Sequence, residues 1–138
     1  MADDVSERVR RLASRDRFMQ LLGAELVHSG EGQAGVRARV GEHHLNFNGT
    51  CHGGFLFSLA DCSFGLASNS HGTLAAGIDA HISYAVPARL GDVLVASAEE
   101  ETRSQHLATY RIKVTREQDQ RVIATFTRTV FRTDGAHD

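Results

Sequence analysis

The residues whose types and spacing could do chemistry gather between Asn46 and Gly72, in NFNGTCHGGFLFSLADCSFGLASNSHG. One acid, Asp61, sits inside a run of Phe, Leu and Ala that keeps helical spacing to about Asn69, and His52-Gly53-Gly54 opens that run. A carboxylate in an otherwise apolar helix is expensive to bury without partners, so Asp61 must be solvated, hydrogen-bonded or functional. In a functional role it would be a catalytic carboxylate. The glycine pair also admits two readings. Gly53 and Gly54 could simply let the chain enter the helix. Alternatively, with no side chain in the way, a backbone N–H at the helix start can approach a ligand oxygen, where the helix dipole favours developing negative charge. His52, alone in a loop, reads most simply as a structural or surface histidine.

Two other chemistries are open to the same loop. His43, His44, Cys51 and His52 are zinc-ligand types, but their spacing matches no regular ligand pattern, so no metal site is expected. Cys51 beside His52 at a helix N-terminus could be an activated thiolate, although no third orienting group is apparent. Cys62 falls on the helix and reads as space-filling. Asn69 and His71 read as helix caps or as contacts to a partner subunit.

A helix must position Asp61. Stepping about 100° per residue from Gly54 places Asp61 about 20° away, on one stripe with Ser58 and Gly65, while Leu56, Leu59, Ala60, Ser63 and Ala67 cluster opposite. The Leu/Ala stripe is therefore expected to be buried, with Asp61 presented among small side chains. Phe57 and Phe64 flank it at about −60° and −80° on the same wheel.

Before this helix, Val5 to Leu22 carries apolar residues at amphipathic spacing and predicts a helix from near Ser6, with Arg8, Arg10, Arg11, Arg15 and Arg17 on its solvated face. Ala24–His28 and Gly35–Val40 predict a hairpin about Ser29-Gly30-Glu31-Gly32. After it, one long strand over Ile78–Val86 ends at Pro87, and further strands follow near Val93–Glu101, Leu107–Thr115 and Val122–Phe131. Strands on both sides of one long apolar helix argue for an α+β fold with an antiparallel sheet wrapped around that helix.

At 138 residues with 41% hydrophobic residues, the chain has room for one core, so residues 1–138 are expected to form one domain: a helix over 1–22 and a tail over 134–138. Its 15 Lys+Arg against 17 Asp+Glu lack the basic excess that nucleic-acid binding needs. No apolar run approaches membrane-span length and no secretory signal is visible, which points to a cytoplasmic protein without a membrane partner. Two cysteines make no disulfide framework.

The segment CHGGFLFSLADCSFGLASNSHG closely resembles the hotdog-fold acyl-CoA thioesterases of the phenylacetic acid degradation (PaaI) type, in its HGG, LAD and Asn pattern. A looser resemblance extends from about Gly23 to about Phe131 through strand order and the turn from Pro87 to Gly91-Asp92. It implies a sheet of five to six strands around the central helix, with an extra N-terminal helix. The implied reaction is hydrolysis of an aryl-acetyl or related acyl-CoA thioester, without a cofactor, by a homodimer or a tetramer built as a dimer of dimers. Asp61 would be base or nucleophile, the Gly53 N–H would polarise the thioester carbonyl, His52 would orient, and Asn46 would reach the same site. Acid and N–H donor would come from different subunits. Gly54, Phe57 and Phe64 would line the substrate site, and Arg89, with Arg103, Arg111 and Lys113, is available to coenzyme A phosphates. The alternative is a non-catalytic acyl-CoA-binding or regulatory hotdog module, since fold does not fix function. A hotdog dehydratase would want a His paired with an acid on this helix, which has none between Gly53 and Ser70.

Overall fold

The computed structural model describes residues 2–137, with the side chains of 4–137. Two short helices, α1 (Ala2–Arg15) and α2 (Arg17–Leu21), open the chain. One amphipathic helix was expected to Leu22. Instead the Asp16 carboxylate accepts the Met19 N–H at 3.0 Å, an N-cap that starts a separate turn. Strands β1 (Glu25–Gly30) and β2 (Gln33–Arg39) form the expected hairpin, with the tighter turn Glu31-Gly32 made possible by Gly32 at φ +72°.

Helix α3 (Gly53–Ser68) then runs as the sequence predicted, with His52 as N-cap and Asn69 as C-cap. Its wheel is also as predicted. Leu56, Leu59, Ala60, Ser63 and Ala67 are buried, whereas Gly54 and Asp61 are exposed and Ser58 and Gly65 half-buried.

Strands β3 (Thr73–Gly77), β4 (His81–Tyr84), β5 (Val93–Arg103), β6 (Leu107–Arg116) and β7 (Arg121–Ala136) complete a seven-stranded antiparallel sheet. Its order is β1-β2-β5-β6-β7-β3, with β4 also on β7. The sheet packs against α3 through β2, β5 and β6, and buries Val36, Leu94, Ile112, Phe126 and Leu59 between the layers.

The expected strand Ile78–Val86 is shorter, β4 over His81–Tyr84, and the strand count is seven rather than six because β3 (Thr73–Gly77), not expected from the sequence, precedes it. Gly77 pairs with Val130 and His81 with Thr127, so four steps on one strand answer three on the other. The surplus residue lies in the bulge 78–80, where Asp79 turns its carboxylate onto β7. Strand β7 also outruns its expected end, so residues 134–136 of the expected tail are strand, while residue 138, like residue 1, lies outside the described residues.

Candidate active site

The site is built outward from α3. At its start, four N–H groups lack helical partners. The His52 ring Nδ1 accepts the Gly54 N–H at 2.7 Å, and the His52 carbonyl accepts Phe55 N–H at 3.0 Å and Leu56 N–H at 3.4 Å. The Gly53 N–H donates to no group among the described residues. Because Nδ1 accepts, the neutral His52 ring carries its proton on Nε2.

Both glycines leave room for close neighbours. A Cβ on Gly54 would stand 3.0 Å from His52 Nδ1, pushing aside the cap, and one on Gly53 would stand 3.3 Å from the Tyr84 ring. The Tyr84 hydroxyl donates to the Gly53 carbonyl at 3.2 Å, tying β4 to this end of α3.

Two turns on, Asp61 lies open, its side chain 54% exposed. Its Oδ1 accepts from Arg128 Nη1 at 2.8 Å, and Oδ2 accepts no hydrogen bond among the described residues. Arg128 is only 10% exposed, and its guanidinium lies 4.3 Å from the ring centre of Phe64 and 5.4 Å from that of Phe57. Phe64 is buried edge-on against Tyr110, and half-buried Phe57 meets Phe126 edge-on. A cleft of about 400 Å³ opens beside Asp61, with Leu12, Phe18, Leu66 and Leu74 as apolar walls and Asn69 among its polar groups.

The remaining candidates have separate places. Asn46 spends its amide inside its own loop: Oδ1 accepts Asn48 N–H at 2.9 Å and Thr50 N–H at 3.2 Å, and Nδ2 donates to the Thr50 hydroxyl at 3.1 Å. Arg89 is exposed in the turn before β5, where Asp92 holds its backbone N–H at 2.9 Å. Asn69 donates to the Gly65 carbonyl and both gives to and takes from Ala75, so it caps α3 and binds it to β3. His71, 6% exposed, meets Glu100 at 2.9 Å.

Cys51 is buried, and desolvation first, then the nearby Asp92 charge, push its thiol up to about 12. The activated-thiolate reading fails on that environment. Cys62 is likewise pushed to about 12 by burial and then by Asp16 and Asp61. His44 stacks on Phe55 at 3.8 Å and accepts the Gly41 N–H, and burial, then His43, lower its pKa.

Arg128 was missed from the sequence. One signal was available: it shares the inward parity of Ala124, Phe126 and Val130 on β7, where a cation needs a partner. The cleft walls had no local signal, because Leu12, Phe18 and Leu74 come from three separate elements.

A curled antiparallel sheet wrapped about one helix, with an acid on that helix and a glycine pair at its start, defines a hotdog-fold protein. The chain belongs to the thioesterase superfamily, whose pattern it matches over residues 48–123. It is 35% identical over 111 residues to the acyl-coenzyme A thioesterase PaaI of Escherichia coli, covering 80% of this chain and 79% of that one. The structure of the E. coli PaaI protein from the phenylacetic acid degradation operon superposes with a TM-score of 0.94 at 30% identity, covering 99% and 98% of the two chains. A Streptococcus mutans protein bound to acetyl CoA matches with a TM-score of 0.79 at 28% identity, over 83% of this chain and 91% of that one.

Proposed function

We propose that this acyl-CoA thioesterase hydrolyses aryl-acetyl thioesters of the phenylacetyl-CoA kind, with Asp61 as base or nucleophile and the Gly53 N–H polarising the carbonyl. One observation carries the reading: on a single helix, an open carboxylate and an uncommitted N–H are the two groups thioester hydrolysis needs. Along α3 they stand eight residues apart, about 12 Å, too far to hold one carbonyl. A second copy, its α3 running the opposite way, would bring its Gly53 to this Asp61.

The surface supports such a pairing. Gly54, Ser58, Asp61 and Gly65 make a stripe of small or open positions on α3 that lets two helices approach closely. Strands β3 and β4 pair with β7 on one side only, so their other side is a sheet edge available to the same partner. A homodimer follows, with a dimer of dimers as the larger assembly. Cytoplasmic residence suits a coenzyme A substrate, and no described helix is long and apolar enough to cross a membrane.

In the reaction, water's oxygen bonds to the acyl carbon as Asp61 takes its proton, and the carbonyl oxygen charges against the Gly53 N–H. The C–S bond then breaks, the carbonyl reforms, and the thiolate leaves as coenzyme A with that proton. In the covalent variant the Asp61 oxygen bonds first to the acyl carbon, expelling the thiolate, and water then opens the anhydride. The apolar cleft beside Asp61 suits an aryl group, the relative's phenylacetic acid operon points to phenylacetyl, and exposed Arg89 suits a coenzyme A phosphate.

The test is Asp61→Asn. Turnover of phenylacetyl-CoA should fall at least about a hundredfold, the scale of lost acid–base catalysis, with the assembly intact. Near-native turnover would remove Asp61 from the chemistry. A wild-type protein that binds phenylacetyl-CoA without releasing thiol would favour the non-catalytic binding module.

A further inference from the structure

We infer that Arg128 is a positioning residue for Asp61: it grips one carboxylate oxygen so that the other is presented to the thioester. The inference rests on the reading of Asp61 as the reacting acid.

The ion pair is lopsided in a way that a surface salt bridge is not. Its cation is enclosed and its anion open, at 10% and 54% exposure respectively. The guanidinium is fixed from several sides. Nη1 holds Asp61 Oδ1 at 2.8 Å, Nε donates to the Asp79 carbonyl at 2.6 Å, and the ring of Phe64 lies beneath. Asp79 is itself immobilised, since Oδ1 accepts the Thr129 N–H at 2.7 Å and Oδ2 the Thr129 hydroxyl at 2.8 Å. The planar fork of arginine can serve two acceptors at once, which a lysine ammonium on the same stem cannot do in this geometry. Exposed ion pairs add little to stability. An arginine held this firmly by its own shell is instead suited to fixing its partner's direction.

A second observation is independent of the pair. A Cβ on Gly77 would stand 2.9 Å from both Arg128 Nη2 and Phe64 Cε2. Gly77 is not at positive φ, so its conformation does not call for glycine. The room it leaves is the room the guanidinium and Phe64 occupy. The β3 glycine, the β7 arginine and the α3 aspartate thus form one arrangement drawn from three elements.

The experiment measures phenylacetyl-CoA hydrolysis in Arg128→Gln, Arg128→Lys, Gly77→Ala, Asp61→Asn and the double variant Arg128→Gln/Asp61→Asn, each checked for native melting. Arg128→Gln should lower kcat on the order of ten- to a hundredfold, the scale of one charge-assisted hydrogen bond, with KM within about twofold. Arg128→Lys should recover part of the loss, and Gly77→Ala should lower kcat in the same direction. In the Asp61→Asn background, Arg128→Gln should cost nothing further. Unchanged kcat in well-folded Arg128→Gln, or a loss of the same size with and without Asp61, would overturn the inference while leaving Asp61 in place. Near-native turnover in Asp61→Asn would instead defeat the reading beneath it.

Discussion

Gly53 can be replaced by the one residue that deletes its N–H and changes little else. It is the first helical residue of α3, a position proline accepts, and its N–H has no partner to lose among the described residues. His52 before it already has φ −64° and ψ 136°, the extended conformation a residue ahead of proline must adopt. The ring would press on Tyr84, which is half exposed and free to give. Gly53→Pro should therefore fold, yet lose about a hundred- to a thousandfold in kcat, as loss of an oxyanion donor does. Unchanged kcat in a folded Gly53→Pro protein would take the carbonyl away from that N–H. His52 acts beside it as the cap. His52→Ala should destabilise the protein by about 1 kcal/mol, or about 3–5 °C in Tm, and His52→Asn, a good cap, should restore most of that. An equal loss in both variants would show that the imidazole contributes something other than the cap.

At the scale of elements, α3 was legible from end to end because everything that defines it is local. Its apolar stripe, its glycine entry and its Asn69 exit all lie within its own span. Strand β4 was less legible. The alternation from Ile78 to Val86 reads as one strand, but its first three residues form a bulge set by Asp79 bonding to Thr129, fifty residues on. The site divides along the same line. That Asp61, Gly53, Gly54 and His52 lie on one helix and its cap was readable from local sequence, whereas Arg128 reaches Asp61 from a strand sixty-seven residues away. Asn46, assigned to the site by resemblance, has its amide holding the loop Asn46–Thr50. Asn69 carries the most weight at the far end of α3, bonding to Gly65, Ala75 and His137. Asn69→Ala should lower stability by about 1–3 kcal/mol through stranded backbone groups, measured as a lower urea midpoint. An unchanged midpoint would mean that α3 and β3 dock without it.

Across the whole molecule, the two buried thiols set an alkaline limit. Both are pushed up to about 12, chiefly by desolvation, against about 8.5 in an unfolded chain. Below that lower value both states hold the protons, and the preference for the fold is fully present. As pH rises from about 8.5 toward 12 the unfolded chain ionises first, so stability falls. Urea midpoints should decline over that window, and less steeply in a Cys51→Ala/Cys62→Ala protein; equal slopes would assign the decline to other groups. In the proposed reaction the site spans two chains, because a single chain holds its acid and its N–H about 12 Å apart. The most direct measurement mixes the two inactive variants, Asp61→Asn and Gly53→Pro, after dissociation and reassembly, and follows thiol release from phenylacetyl-CoA. If each site draws its acid from one subunit and its N–H donor from the other, half the dimers are mixed and each regains one of two sites, restoring about a quarter of wild-type activity. No recovery in demonstrably mixed dimers would contradict a site shared between two copies.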